Sequence, residues 1–211
     1  MKAPVRIGVH TGKEKRRREV ISMEAVDRHI VEMSGPEPVF DDIARAFLCN
    51  SRDEFLERGG RGGLLEYADL GTTVPWLWRL TFHTRGLARA EGKEVRGVDR
   101  HVVAVRFLPD YLRNVNQFQT LALVEPSDAF HPNLSPPGIC LHVYPGQPLV
   151  EIAEALHALF SWRLRQLAEN DALNRDACAW GRANLDRLPL DTRPLFGRAV
   201  RFQLEPLETN A

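Results

Sequence analysis

The chain has 211 residues, and its 28 Lys and Arg balance its 28 Asp and Glu, so the formal net charge is zero. A balanced charge creates no overall field that would attract nucleic acid or an anionic membrane, and neither is expected as a partner. No apolar run reaches the length of a membrane span, and the N-terminus lacks the apolar stretch of a signal peptide. Three widely spaced cysteines favour free thiols in a reducing cytoplasm over a disulfide framework.

Before position 70, apolar residues recur at the spacing of α-helices. Apolar side chains recur at helical spacing at Met23, Val26, Ile30 and Met33. They predict a helix over 14–34, which Gly35-Pro36 ends. A second, short helix is predicted over 39–49, with one face formed by Phe40, Ile43, Phe47 and Leu48. The glycine-rich segment 58–63 is predicted to be a loop, and it lacks the Gly-Lys-Ser/Thr ending of a phosphate-binding loop.

The middle of the chain alternates between apolar and polar residues, which predicts β-strands. The first strand, over 76–82, has a strongly apolar face formed by Trp76, Trp78, Leu80 and Phe82. A polar connection over 85–98 follows. The second strand carries Val103, Val105 and Phe107, and the third carries Phe118, Thr120, Ala122 and Val124. Three successive strands with polar connections predict an antiparallel meander.

Helical spacing returns in the last third of the chain. One stripe comprises Leu149, Ile152, Leu156 and Leu159 and is predicted to continue towards Leu164 and Leu167. Another helix is predicted to begin near Leu173 and to carry Ala177 and Trp180. The tail is predicted to contain a strand, because Val200, Phe202 and Leu204 alternate with other residues. Strands followed by helices, without strict alternation, predict an α+β domain.

The three cysteines differ in their surroundings. Cys49 and Cys178 lie on predicted helices, where a cysteine is usually a small core residue. Cys140 instead follows a segment rich in proline and glycine, with His131, Asn133 and His142 close in sequence. Three chemistries fit this pattern: a zinc site, a cysteine hydrolase and thioester exchange. The first lacks the paired Cys/His spacings of structural zinc sites, and for the second no spacing places His131 and Asn133 beside the thiol.

The segment that leads to Cys140 resembles the signature of ubiquitin-conjugating enzymes. It reads Phe-His-Pro-Asn over 130–133, then a short variable stretch, then Gly-Ile-Cys-Leu over 138–141. Further segments resemble parts of that family in the same order: Trp78–Phe82 with Arg85–Leu87 (the first strand of divergent prokaryotic members), Phe107–Tyr111, the stripe from Leu149 to Phe160, and Asn170–Ala177. The resemblance extends from about residue 74 to about residue 187.

The resemblance implies a role for each matching residue. Cys140 would accept the C-terminal carboxyl group of a ubiquitin-like protein as a thioester. Asn133 would stabilise the oxyanion formed when an amine attacks, or would hold the loop that allows this. Asp171 would orient the incoming lysine and help it to lose a proton. His131 and Pro132 would mainly shape the turn.

The resemblance also implies a fold and a pathway. Residues 1–70 would be an N-terminal helical segment, 71–190 a catalytic core with the ubiquitin-conjugating fold, and 191–211 a C-terminal extension. The expected fold is an antiparallel β-meander flanked by helices. The enzyme would receive its modifier from an activating enzyme and transfer it to a lysine of a target protein, without a metal or small cofactor. The alternative is a non-catalytic variant that only binds ubiquitin-like proteins.

Two loops depart from the family pattern. The segment 144–148, Tyr-Pro-Gly-Gln-Pro, stands where the family has Trp-Ser-Pro-Ala, and the segment 112–117 lacks the paired prolines. These departures indicate a divergent, bacterial-type member. Such members resemble parts of small operons that are associated with defence against phage.

Overall fold

A computed structural model describes residues 22–59 and 63–196. The helices are α1 (Met23–Ser34), α2 (Asp42–Gly59), α3 (Gln117–Thr120), α4 (Leu149–Phe160) and α5 (Arg175–Ala183). The strands are β1 (Leu65–Asp69), β2 (Leu77–Phe82), β3 (Gly86–Ala88), β4 (Arg96–Val98), β5 (His101–Arg106), β6 (Leu121–Glu125), β7 (Leu134–Ser135) and β8 (Gly138–Ile139). The start of the first predicted helix, residues 60–62 of the glycine-rich loop and the tail strand lie outside the described residues.

The centre of the fold is a four-stranded antiparallel sheet with the order β1-β2-β5-β6. The predicted meander of three strands is confirmed as β2, β5 and β6. The strand β1 precedes them, so the strand containing Trp78 is the second of the sheet and not the first. With its helices, the chain has a mixed α+β fold. In the two described ranges, no helix is both long and apolar enough to cross a membrane.

Both faces of β2 are buried, which corrects the prediction of a single apolar face. On one face, the Trp78 ring lies 5.5 Å from that of Phe55 in α2, and the Phe82 ring lies 5.3 Å from that of Phe160 in α4. On the other face, Arg79 donates to the Asp27 carboxylate of α1 at 2.5 Å. Polar residues on this face are therefore covered by a helix rather than by water.

The second predicted helix is longer than its apolar pattern over 39–49 indicated, because α2 continues to Gly59. Its buried face runs through Leu48, Ser51 and Phe55, so a small polar residue interrupts the apolar stripe. The Ser51 hydroxyl accepts from the backbone N–H of Leu149 at 2.8 Å and thereby caps α4. Ile43 was predicted on the buried face, but it is 70% exposed.

Three other boundaries differ from the predictions. The connection over 85–98 contains the hairpin β3–β4, whose strands of three residues are too short to show alternation. The third predicted strand begins only at Leu121, since Asn116 caps the short helix α3 immediately before it. Helix α4 ends at Phe160 and does not reach Leu164, which is exposed.

A small second core, the Trp162 cluster, lies between the β3–β4 hairpin and α5. Its buried members are Leu87, Phe130, Trp162 and Ala177. Trp162 has a positive φ of 58°, which turns the chain sharply after α4 and points the ring into this cluster. Gly181 of α5 packs so closely that a Cβ there would lie 2.8 Å from the indole ring. Phe130 belongs to the segment that leads to Cys140, so this cluster supports that segment.

Candidate functional site

Cys140 directly follows the two-stranded hairpin β7–β8 and is half-buried. The hairpin is fastened to the central sheet because the Leu123 N–H of β6 donates to the Pro137 carbonyl at 2.8 Å. The backbone N–H of Cys140 donates to the Asn133 carbonyl at 2.8 Å, which closes the loop around the hairpin. The thiol is therefore held by rigid elements at a partly accessible position, as a reacting cysteine requires.

The Asn133 side chain joins Cys140 to the segment after α4. Its amide nitrogen donates to the Cys140 carbonyl at 3.1 Å, and its amide oxygen accepts from the Gln166 N–H at 2.9 Å. Both functional groups of the amide are thus engaged with backbone. This geometry makes Asn133 a clamp that ties the Cys140 backbone to the segment after α4.

His131 and Pro132 are buried beneath this clamp. The His131 ring lies 4.7 Å from the Trp162 ring, and its Nδ1 accepts from the Asn133 N–H at 3.1 Å. Burial, reinforced by the nearby His101, lowers the pKa of His131 to about 3, although the Leu164 backbone opposes the shift. A neutral imidazole with its acceptor nitrogen engaged cannot act as a base towards Cys140.

Asp171 is exposed at the end of a single 3₁₀ turn, Glu169–Asp171. The segment that carries it is anchored at both ends to the Cys140 loop. Before it, the Gln166 N–H donates to the Asn133 side chain, and after it the Asn174 N–H donates to the Pro132 carbonyl at 3.1 Å. The Asn174 side chain also caps α5 by accepting from the Ala177 N–H at 3.0 Å. The structure thus places Asp171 on a segment fixed to residues 132 and 133.

Gln117 is a site residue that the sequence did not reveal. Its amide nitrogen lies 3.8 Å from Cys140 Sγ and donates to it. Gln117 is the first residue of α3, whereas the alternation around Phe118 and Thr120 predicted a strand there. The contact depends on how the helix and the hairpin meet, so no local sequence signal could have identified it.

The end of the segment Phe107–Tyr111 is joined to the loop 144–148. The Tyr111 hydroxyl donates to the Gln147 carbonyl at 2.8 Å. Burial raises the pKa of Tyr111, with smaller contributions from Tyr144 and Glu151, so its hydroxyl stays protonated and remains a donor at neutral pH. The hydrogen bond therefore fixes the loop 144–148 against the residue that precedes the loop 112–117.

The competing zinc site finds no support in the geometry. Within residues 22–59 and 63–196, no three His, Cys, Asp or Glu side chains are grouped so as to hold a metal ion. His142 is exposed between the buried residues Leu141 and Val143, so it points away from the core. Cys178 is fully buried, as predicted for a core residue, whereas Cys49 is half-buried.

Comparison with known proteins leaves the family open. No protein-family model matches the chain. No curated protein is significantly similar to it in sequence.

Proposed function

We propose that this chain is a ubiquitin-conjugating-like enzyme that carries a ubiquitin-like protein as a thioester on Cys140 and transfers it to a lysine of a target protein. The observation that supports this most directly is the half-buried thiol at the end of a hairpin, held by the Asn133 clamp. The order of the motifs along the chain and the antiparallel sheet with flanking helices agree with a ubiquitin-conjugating fold. We propose this fold together with the function.

The surroundings of Cys140 favour acyl transfer over hydrolysis. A cysteine hydrolase needs a histidine whose free nitrogen can take the thiol proton. His131 is buried, neutral and already hydrogen-bonded to Asn133, so it does not meet that requirement. A carrier needs less from its site, because an activating enzyme delivers an acyl group that is already a thioester.

The proposed pathway follows from this role. An activating enzyme that uses ATP would supply the modifier, and the chain would act in a reducing cytoplasm, where Cys140 remains free. By association with the bacterial-type members that it resembles, the chain would belong to an operon that acts in antiviral defence. Asn133 would hold the site, and Asp171 would meet the acceptor lysine.

The first prediction concerns Cys140 itself. Incubation with ATP, an activating enzyme and a ubiquitin-like protein encoded beside its gene should give an adduct on a non-reducing gel that thiols remove. Cys140→Ala should abolish the adduct, and Cys140→Ser should give a more stable oxyester. Cys49→Ser is the matched control and should still be charged. An adduct that persists in Cys140→Ala would refute the proposal, and binding of the modifier without any adduct would identify the non-catalytic variant.

The second prediction concerns Asp171. Asp171→Asn should leave charging of Cys140 unchanged but slow transfer to free lysine by about tenfold to a hundredfold, because an ammonium must lose a proton before it can attack. Single-turnover discharge of the charged protein measures the rate. Discharge by hydroxylamine, which is unprotonated at neutral pH, should not change.

A control for the Asp171 experiment is available on the neighbouring helix. Asp176→Asn removes an exposed carboxylate that lies 3.6 Å from Arg89, and it should not affect transfer. Equal rates of lysine discharge in Asp171→Asn and the parent protein would exclude Asp171 from the mechanism.

A further inference from the structure

We infer that Gln117, and not Asn133, donates the hydrogen bond that stabilises the oxyanion in the proposed acyl transfer. This inference rests on the proposed function. The first observation is the contact between the Gln117 amide nitrogen and Cys140 Sγ at 3.8 Å. The carbonyl oxygen of a thioester lies two bonds from that sulfur, within reach of a donor that already contacts it.

The second observation is independent of the first. One N–H of the Asn133 side-chain amide donates to the Cys140 carbonyl at 3.1 Å, and the amide oxygen accepts from the Gln166 N–H. Turning this amide towards the thioester would break both hydrogen bonds, and each partly buried group left without its partner costs about 1–3 kcal/mol. Asn133 is therefore a positioning residue, and Gln117 is the amide donor that faces the reacting atom.

Gln117 is held in position by its neighbours. The Asn116 side chain accepts from the Phe118 N–H at 3.0 Å, and its backbone carbonyl accepts from the Thr120 hydroxyl at 3.1 Å. The Phe118 ring packs over the hairpin, since a Cβ on Gly138 would lie 3.6 Å from it. A donor fixed before the reaction needs no reorganisation when charge develops, and this is the basis of oxyanion stabilisation.

The reaction shows where the donor acts. The acceptor nitrogen attacks the thioester carbonyl carbon, a C–N bond forms, and the π electron pair moves onto the oxygen as an oxyanion. The nitrogen loses its proton to Asp171 or to water. The oxyanion then restores the carbonyl, the C–S bond breaks, and its electron pair leaves on Cys140 Sγ. Gln117 donates to the oxygen while it carries the negative charge.

The test uses a small acyl donor, so it requires neither the modifier nor the activating enzyme. In a Cys49→Ser background, the acetyl-glycylglycine thioester of 2-mercaptoethanesulfonate acylates Cys140, and mass spectrometry follows its aminolysis by lysine. Removal of one oxyanion donor costs on the order of 10²–10³ in a fully preorganised site, so Gln117→Ala should slow aminolysis by about tenfold or more at this half-exposed one. Gln117→Glu, which keeps the shape but lacks the amide donor, should be equally slow.

Two controls separate catalysis from simple support of the fold. Alkylation of Cys140 by iodoacetamide is a displacement at a saturated carbon with no oxyanion, so Gln117→Ala should change its rate much less than it changes the rate of aminolysis. Gln119→Ala, at an exposed position on the same helix, should change neither rate.

Three results would overturn the inference. Unchanged aminolysis in Gln117→Ala would exclude the oxyanion role. A parallel fall in alkylation and aminolysis would show that Gln117 only supports the loop, and slow aminolysis in Asn133→Ala with unchanged alkylation would return the role to Asn133. Charging of Cys140 by the activating enzyme is measured separately, so failure of this inference leaves the carrier function untouched.

Discussion

Replacement of Trp162 by alanine is expected to lower the free energy of unfolding by about 3–5 kcal/mol, because a fully buried tryptophan leaves a large cavity. Trp162 has no exposed surface and fills the centre of the Trp162 cluster. Its ring lies 4.7 Å from that of His131 and 6.2 Å from that of Trp180. Guanidinium denaturation followed by circular dichroism measures the loss.

Trp180 provides the matched control. It belongs to the same cluster but is only partly buried, with the Arg187 guanidinium 5.7 Å from its ring centre. Trp180→Ala should cost no more than about 2 kcal/mol, since less apolar surface becomes exposed. Hydrogen exchange should be faster at the Asn133 amide in Trp162→Ala than in Trp180→Ala. Equal losses of stability in the two variants would contradict the central role of Trp162.

The second large effect is a loss of stability in mild acid. Burial lowers the pKa of His101 to about 3, and burial followed by the influence of His101 does the same for His131. His101 is stacked on Phe160 with ring centres 4.3 Å apart, so its charged form would lose water without gaining a partner. Both imidazoles are therefore neutral in the folded protein.

The sign follows from these lowered pKa values. Below the ordinary histidine pKa of about 6.5, these histidines bind protons in the unfolded chain. In the folded chain they stay unprotonated until about pH 3. Full stability is therefore present above pH 6.5 and is lost as the pH falls. Each histidine contributes about 1.4 kcal/mol per pH unit within that window, and the two together double the slope.

Denaturation midpoints and slopes between pH 7.5 and about pH 4.5 measure this effect. Below that range, the protonation of carboxylates adds a similar loss of stability. For Glu37, burial raises the pKa, but hydrogen bonds from Thr72 and Thr73 outweigh it and lower the pKa to about 2. His101→Asn should reduce stability at every pH but make stability depend less on pH. His142→Gln, at an exposed position, should leave the dependence of stability on pH unchanged. A stability that does not change from pH 6.5 to 4.5 would refute the prediction.

Local patterns were sufficient for the elements with strong periodicity. The alternation through Val103 and Val105 located β5, and the stripe from Leu149 to Leu159 located α4. Local patterns failed where a residue serves a distant neighbour. Ser51 interrupts the apolar face of α2 because it caps another helix, and the three-residue strands of the β3–β4 hairpin are stabilised by packing rather than by their own periodicity.

The same distinction applies to the candidate site. Asn133 and Cys140 lie on either side of one hairpin, so their proximity follows from the local sequence. The contact of Gln117 with the thiol and the burial of His131 against Trp162 join segments that are far apart in the chain. Such contacts arise only from tertiary packing, and local sequence patterns do not predict them.

The pairing of Arg79 with Asp27 limits how the chain can be divided. Arg79 is almost completely buried on the outer face of the sheet, and its carboxylate partner comes from α1. A fragment that begins after α1 would leave this guanidinium on an uncovered face of the sheet and would expose Thr81 beside it. The fragment would also lose Val26 and Ile30 from the main core. The smallest autonomous folding unit therefore includes α1, and a shortened fragment made for expression should retain residues from Ser22 onwards.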